Sequence, residues 1–177
     1  AGDGDISAFA DDVCLEQGIG LRALKLDTGQ TLWHLEAHRI DFSASPSASR
    51  SSVVYGLETG EVVCVELRTG RERWRHSVAD LQWFSIYQKC FPTGAIEVFG
   101  DRVIVQCRWR YVVCLDLRSG RRLWTYGPAG YSGAGLYRDR YYVVGQPLVA
   151  LDPKTGEVLQ TSKREDPVDR PEGGGID

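Results

Sequence analysis

The sequence predicts an all-β fold assembled from about four copies of one four-stranded unit. Three observations predict it. Four segments align on a Thr/Ser-Gly pair: LRALKLDTGQTLWHL (21–35), EVVCVELRTGRERWRHS (61–77), YVVCLDLRSGRRLWTYG (111–127) and PLVALDPKTGEVLQTS (147–162). A tryptophan follows the glycine by four residues in three of them, as Trp33, Trp74 and Trp124, and Gln160 stands there in the fourth. A further pair of β-type runs precedes each segment: 6–17, 51–58, 95–107 and 135–147. The loop glycines, Gly29, Gly70, Gly120 and Gly156, are 41, 50 and 36 residues apart. Four strands in roughly 40 residues is the size of a propeller blade, so the expected architecture is a β-propeller.

Each element has a local reason. The incoming run alternates or is wholly apolar, which suits a strand. The loop glycine takes positive φ without a Cβ clash and closes the hairpin. Four residues before it stand Lys25, Glu66, Asp116 and Asp152. A carboxylate there can accept hydrogen bonds from the loop backbone or from the Thr/Ser hydroxyl. The outgoing strand carries the tryptophan, a large aromatic suited to filling space between units. The expected blades are about 4–36, 41–77, 94–127 and 133–162, with an aromatic insertion at 77–92 and a disordered tail or linker at 163–177. The tail KREDPVDRPEGGGID is charged and rich in Pro and Gly, so it cannot bury a core. The best candidate for a helix is SVADLQWFSIYQKC (77–90), with Ser77 and Asp80 as a weak capping signal.

The pattern Ala-Leu-Asp-x-x-Thr-Gly-x-x-x-Trp resembles the PQQ-like, quinoprotein-type β-propeller repeat. VALDPKTGEVLQ, VCLDLRSGRRLW and ALKLDTGQTLW carry the resemblance, which covers about residues 4–162. It implies a scaffold used by both dehydrogenases and non-enzymatic binding propellers. Four blades are the lower limit of a ring, and quinoprotein-type rings often have eight. The chain therefore closes a tight ring, self-associates with another copy to complete the propeller, or is an incomplete ring continued by another segment. An open array leaves an apolar face exposed, which favours association.

The same resemblance raises the question of a quinone cofactor. Quinoprotein dehydrogenases hold PQQ with adjacent cysteines and a calcium site, and this chain has no Cys-Cys pair and no evident calcium set. No cofactor and no PQQ-dependent dehydrogenase activity are expected. The Asp3–Asp5 pair fails the EF-hand spacing, because Cys14 falls where a Glu is needed. His34, His38 and His76 lack the converging partners of a zinc site, so no metal is expected.

Composition narrows the partners. The 177 residues are 42% hydrophobic and 25% charged, which is ordinary for a globular chain. A net charge of −3 gives no basic field for nucleic acid. No apolar run is long enough for a membrane-spanning helix. The absence of Met suggests a processed product or a piece of something longer, and no basic leader precedes the acidic start. Five cysteines, Cys14, Cys64, Cys90, Cys107 and Cys114, make a poor disulfide framework and point to buried thiols in the cytoplasm. Cys90, in YQKCFPTG, is the one thiol in an expected loop and the one to test for reactivity.

The departures from the repeat point to a site. Trp83 and Trp109 are the tryptophans off the repeat grid. Trp83 lies in the insertion with Phe84 and Tyr87, and Trp109 lies between Arg108 and Arg110 in an expected strand-to-strand turn. Propeller topology puts blade connections and second-to-third strand turns on one face of the disc. Aromatic residues and arginine are enriched in binding hot spots. The expected function is a non-catalytic scaffold that binds a protein or peptide through Trp83, Phe84, Tyr87, Arg108, Trp109 and Arg110. The alternatives are a small-molecule-binding or enzymatic propeller acting as part of a larger ring, and a sensor domain of a multidomain protein. The arginines of RERWRHS (Arg71, Arg73, Arg75) are expected to protect a sheet edge.

Overall fold

The computed structural model describes residues 4–18, 20–36, 44–81 and 90–162. Trp83, Phe84, Tyr87, His38, the helix candidate's 82–89 and the tail 163–177 lie outside the described residues. Among the described residues there are strands and turns and no helix, so none is long and apolar enough to cross a membrane.

Blade 1 is β1 (Asp5–Ala10), β2 (Val13–Gln17), β3 (Leu21–Lys25) and β4 (Thr31–Leu35), paired antiparallel in chain order. A two-residue strand, β5 (Ala44–Ser45), follows. Blade 2 is β6 (Ser47–Ala48), β7 (Ser52–Leu57), β8 (Glu61–Glu66) and β9 (Glu72–Ser77). Blade 3 is β10 (Pro92–Phe99), β11 (Arg102–Cys107), β12 (Tyr111–Asp116) and β13 (Arg122–Tyr126). Blade 4 is β14 (Tyr131–Tyr137), β15 (Arg140–Gly145), β16 (Val149–Leu151) and β17 (Val158–Thr161). β10 and β14 each begin two residues before the expected blade edge, so Pro92, read as insertion, belongs to a strand.

β5 joins the inner edge of blade 3 rather than blade 2. It runs parallel to β10, with Ala44 opposite Gly94 and Ser45 opposite Ala95. Three residues later the same segment is β6, antiparallel to β7. One extended stretch thus edges two adjacent blades.

The central strands read as continuous apolar runs because both of their faces are buried, a consequence of the two-residue side-chain period. Val63 and Val65 of β8 pack toward blade 1, with Leu15, Leu21 and Ala23. Val62 and Cys64 of the same strand pack toward blade 3, with Val103, Val105 and Leu115. Val112 and Cys114 turn the other face of β12 toward Tyr141, Val143 and Leu151 of blade 4. Three hydrophobic clusters therefore fill the three interfaces between successive blades. Among the described residues no such cluster joins blade 4 back to blade 1, and the array is a partial propeller.

All five cysteines are buried, including Cys90, which lies outside the strands as expected. It sits beneath the entry to β10 in the cluster between blades 2 and 3. The hydrogen bond between the Cys90 and Cys107 thiols, together with burial, holds the Cys107 thiol well above its usual range.

Candidate functional site

The strand-to-strand loops after β3, β8, β12 and β16 share one backbone design. The amides of Gly29, Gly70, Gly120 and Gly156 donate to the carbonyls of Lys25, Glu66, Asp116 and Asp152. Each glycine has positive φ, between 67° and 76°. Asp116 Oδ1 accepts from Ser119 N at 2.7 Å and from Ser119 Oγ at 2.6 Å. Those bonds hold the Asp116 carboxyl below the usual carboxylate range. Glu66 Oε2 accepts from Thr69 Oγ1 at 2.7 Å, and Asp152 Oδ1 accepts from Lys154 N at 2.6 Å. The carboxylate before the Thr/Ser-Gly pair is thus engaged in turn geometry, as expected.

Each repeat tryptophan docks on the next blade's loop. Trp33 Nε1 donates to Leu67 O at 2.7 Å, Trp74 Nε1 to Leu117 O at 2.8 Å and Trp124 Nε1 to Pro153 O at 3.2 Å. The indole lies flat against the loop glycine. A Cβ on Gly120 would come within 2.6 Å of the Trp74 ring, and one on Gly156 within 2.6 Å of Trp124. Glycine is required there by close approach as well as by φ.

The opposite face of the disc carries the turn from β11 to β12. Arg108 and Trp109 have φ of 49° and 57°, and Arg110 N donates to Cys107 O at 3.1 Å. Two consecutive positive φ values with that bond form a tight turn over 107–110, within a three-residue connection between the paired Cys107 and Tyr111. Non-glycine residues there are uncommon and strained. Gly60 occupies the end of the equivalent turn in blade 2, and Gly18 and Gly20 flank that of blade 1.

Contacts from blades 3 and 4 hold the Arg108–Trp109 turn. Arg108 N donates to Thr93 Oγ1 at 2.8 Å. The Arg108 guanidinium lies 4.1 Å over the Phe91 ring, a cation–π contact with the end of the 77–92 segment. Trp109 meets Tyr131 edge-on, with ring centroids 6.2 Å apart, and Tyr131 N donates to Trp109 O at 3.2 Å. Trp109 is 45% exposed even so. Arg108, Trp109 and Arg110 thus come together beside Phe91 and Tyr131, two aromatic residues outside the expected patch. Tyr131 opens the first strand of blade 4, where a β pattern alone marks a core residue.

The start of the insertion is clipped to blade 3. Arg122 donates to Asp80 Oδ1 at 2.7 Å and Oδ2 at 3.0 Å, and to Ser77 O at 3.3 Å. The guanidinium holds the Asp80 carboxyl below its usual range. Burial, and then the Arg122 charge, hold the His76 imidazole below its own. The arginines of β9 are paired: Arg75 with Glu72 at 2.8 Å and Glu61 at 3.1 Å, and Arg73 with Glu66 at 3.6 Å.

Two further polar features lie elsewhere. A cleft of about 760 Å³ between blades 2 and 3, on the face away from Trp109, is lined by Ser51, Ser52, Arg71, Arg73, Asp101 and Arg118, among others. Between blades 3 and 4, Gln106 Nε2 of β11 donates to Ala134 O at 2.8 Å and Glu97 Oε1 of β10 accepts from Leu136 N at 3.4 Å. Burial raises the Glu97 carboxyl, and its Oε2 is buried without a hydrogen-bond partner among the described residues. Among the described residues no three His, Cys, Asp or Glu side chains converge on a metal position.

A family model described as "Outer membrane protein assembly factor BamB", built on the PQQ repeat, matches residues 10–162. The chain belongs to the BamB-like PQQ-repeat family. No curated protein sequence matches it. Among solved structures, BamB from Moraxella catarrhalis is 21% identical with a TM-score of 0.70, over 92% of this chain and 48% of that one. Quinohemoprotein alcohol dehydrogenase from Comamonas testosteroni is 16% identical with a TM-score of 0.70, over 92% and 35%. The computationally designed Ika8 protein is 17% identical with a TM-score of 0.68, over 88% and 47%. At these identities the likeness is one of fold. The chain spans about half or less of the length of these structures.

Proposed function

We propose that the chain is part of a non-catalytic β-propeller scaffold that binds a protein or peptide through the face carrying Trp109. One observation carries the reading. A half-exposed tryptophan tops a strained turn, flanked by two arginines, where the strand register of blade 2 places Thr59. Strain of this kind persists where the surroundings hold it and function uses it. A rigid indole rimmed by arginine is the composition of a binding hot spot. Phe91 and Tyr131 widen the aromatic surface, and Trp83, Phe84 and Tyr87 belong to the adjoining segment of the chain. Family membership supports the same reading, since the matching family is described as an assembly factor.

Trp109→Ala is the test. The variant is expected to keep its circular dichroism and melting temperature within a few degrees and to lose partner capture at least tenfold in a pull-down from the native host. A folded variant that captures the partner as well as the parent refutes the reading. The cleft of about 760 Å³ supports a second reading, a small-molecule-binding propeller acting within a larger ring. An absorbing or mass-detectable ligand copurifying with the chain, lost on Arg73→Ala, would favour it over the scaffold.

A further inference from the structure

The residue before the second strand of each blade is Asp12, Ser51, Asp101 and Asp139 in turn. The first three are equivalent in hydrogen bonding as well as in order. Their carbonyls accept from Leu26 N, Leu67 N and Leu117 N, each at the start of the same blade's repeat loop. Blades 1, 3 and 4 keep an acid at this place, and blade 2 has a serine. The acid has a visible use where blade 1 meets blade 2. Arg68, in the loop of blade 2, reaches Asp12 and donates from Nη1 to Oδ2 at 3.1 Å and from Nη2 to Oδ1. Two parallel N–H···O bonds are the strong form of a guanidinium–carboxylate pair.

One blade on, the loop register Leu-Arg-Thr/Ser-Gly places Arg118 where blade 2 has Arg68. The residue at Asp12's place is now Ser51, and Arg118 makes no ion pair among the described residues. The cleft of about 760 Å³ between blades 2 and 3 opens at this spot, with Ser51 and Arg118 both in its wall. The acids of the wall are engaged elsewhere. Glu72 is held by Arg75 at 2.8 Å and Asp101 by Arg102, and neither arginine lines the cleft. Arg71 and Arg73 share one carboxylate, Glu66, at 3.8 Å and 3.6 Å, and Thr69 Oγ1 also donates to it. Arg73 Nη1 donates to Ser52 Oγ at 2.8 Å, which fixes its head in the wall.

The wall thus presents three guanidiniums and two hydroxyls against one shared carboxylate. We infer that the cleft binds a small oxyanion ligand of at least two negative charges, one group of which lies on Arg118 as Asp12 lies on Arg68. The volume is that of a small-molecule site. The inference rests on the second reading of the cleft and is independent of the Trp109 face.

The test puts the sibling acid back. Succinate, inorganic phosphate and acetate are titrated calorimetrically into the full chain at low ionic strength, where exposed charges are least screened. Succinate or phosphate is expected to bind about tenfold or more tightly than acetate, the scale of one charge-assisted hydrogen bond. The tighter of the two identifies the ligand's group as carboxylate or phosphate. Ser51→Asp supplies Arg118 with a partner from the chain itself and is expected to weaken that binding about tenfold or more, with circular dichroism unchanged. Ser51→Asn, of the same size as Asp but uncharged, is expected to bind as the parent does. Arg118→Ala, at an exposed position, is expected to lose binding as Ser51→Asp does and serves if that variant misfolds. A folded parent that binds neither dianion overturns the inference, as does a folded Ser51→Asp chain that binds as tightly as the parent. Acetate binding as tightly as the dianions overturns it too. An uncharged ligand that copurifies with the chain and is lost on Arg73→Ala upholds the small-molecule reading of the cleft and overturns the oxyanion.

Discussion

Glu97 is the residue whose chemistry departs furthest from its place in the repeat. It lies on the inner strand of blade 3, facing β14, and burial raises its carboxyl above the ordinary range. A carboxyl raised by folding makes no demand on stability below the unfolded-state value, where it is protonated in both states. As pH rises through the folded value, the native state must hold a buried charge that the unfolded chain ionises freely, and stability falls. Glu97→Gln keeps the shape and removes the charge. It is expected to raise the urea midpoint at pH 7 and to lose that advantage as pH falls below about 4, the ordinary range of a Glu side chain. Equal midpoints at pH 7 would show that the carboxyl is paid for by a partner. Trp109 is the contrasting case: its conformational cost lies in backbone φ, so a change of side chain leaves that cost in place unless glycine is introduced.

At the scale of the element, the unit of cohesion is the indole, loop and carbonyl together. Trp74 is 8% exposed and joins the cluster between blades 2 and 3 while bonding Leu117 O. Trp74→Ala is expected to cost about 3–5 kcal/mol, the range for removing a large buried aromatic, measured by denaturant unfolding; a loss under about 1 kcal/mol would mean that the blades hold by their strands alone. The blade as a unit was legible in the sequence. Four Thr/Ser-Gly loops and three tryptophans fix the hairpins, and VVCV and VVCL mark strands buried on both faces. The docking partner of each indole was not legible, because it depends on how one blade rotates against the next. β5 was missed for a similar reason: two residues of SASPSA carry no periodicity, and their pairing with β10 is set by tertiary position. In the candidate site, the Arg108–Trp109 turn stood out by composition. Phe91 and Tyr131 did not, since each reads locally as loop or core.

For the whole molecule, the number of neighbours decides where stability lies. Among the described residues, blades 2 and 3 each have two packed faces, and blades 1 and 4 have one. In arrays of this kind stability is close to a sum of unit and interface terms. Hydrogen exchange is expected to be slowest in β8, β11 and β12, and fastest in β17, whose four residues are all exposed. Uniform protection across the four blades would instead indicate that the end faces are covered in solution. The strand β5 adds a constraint of a different kind, one of timing. Ala44 and Ser45 leave the ribosome 50 residues before Gly94 and Ala95, with which they pair. At ~5–20 residues per second, they wait roughly 3–10 s for that edge to exist. During synthesis β5 thus stays unpaired until blade 3 has begun, and the stretch it shares with β6 ties the two blades together only then.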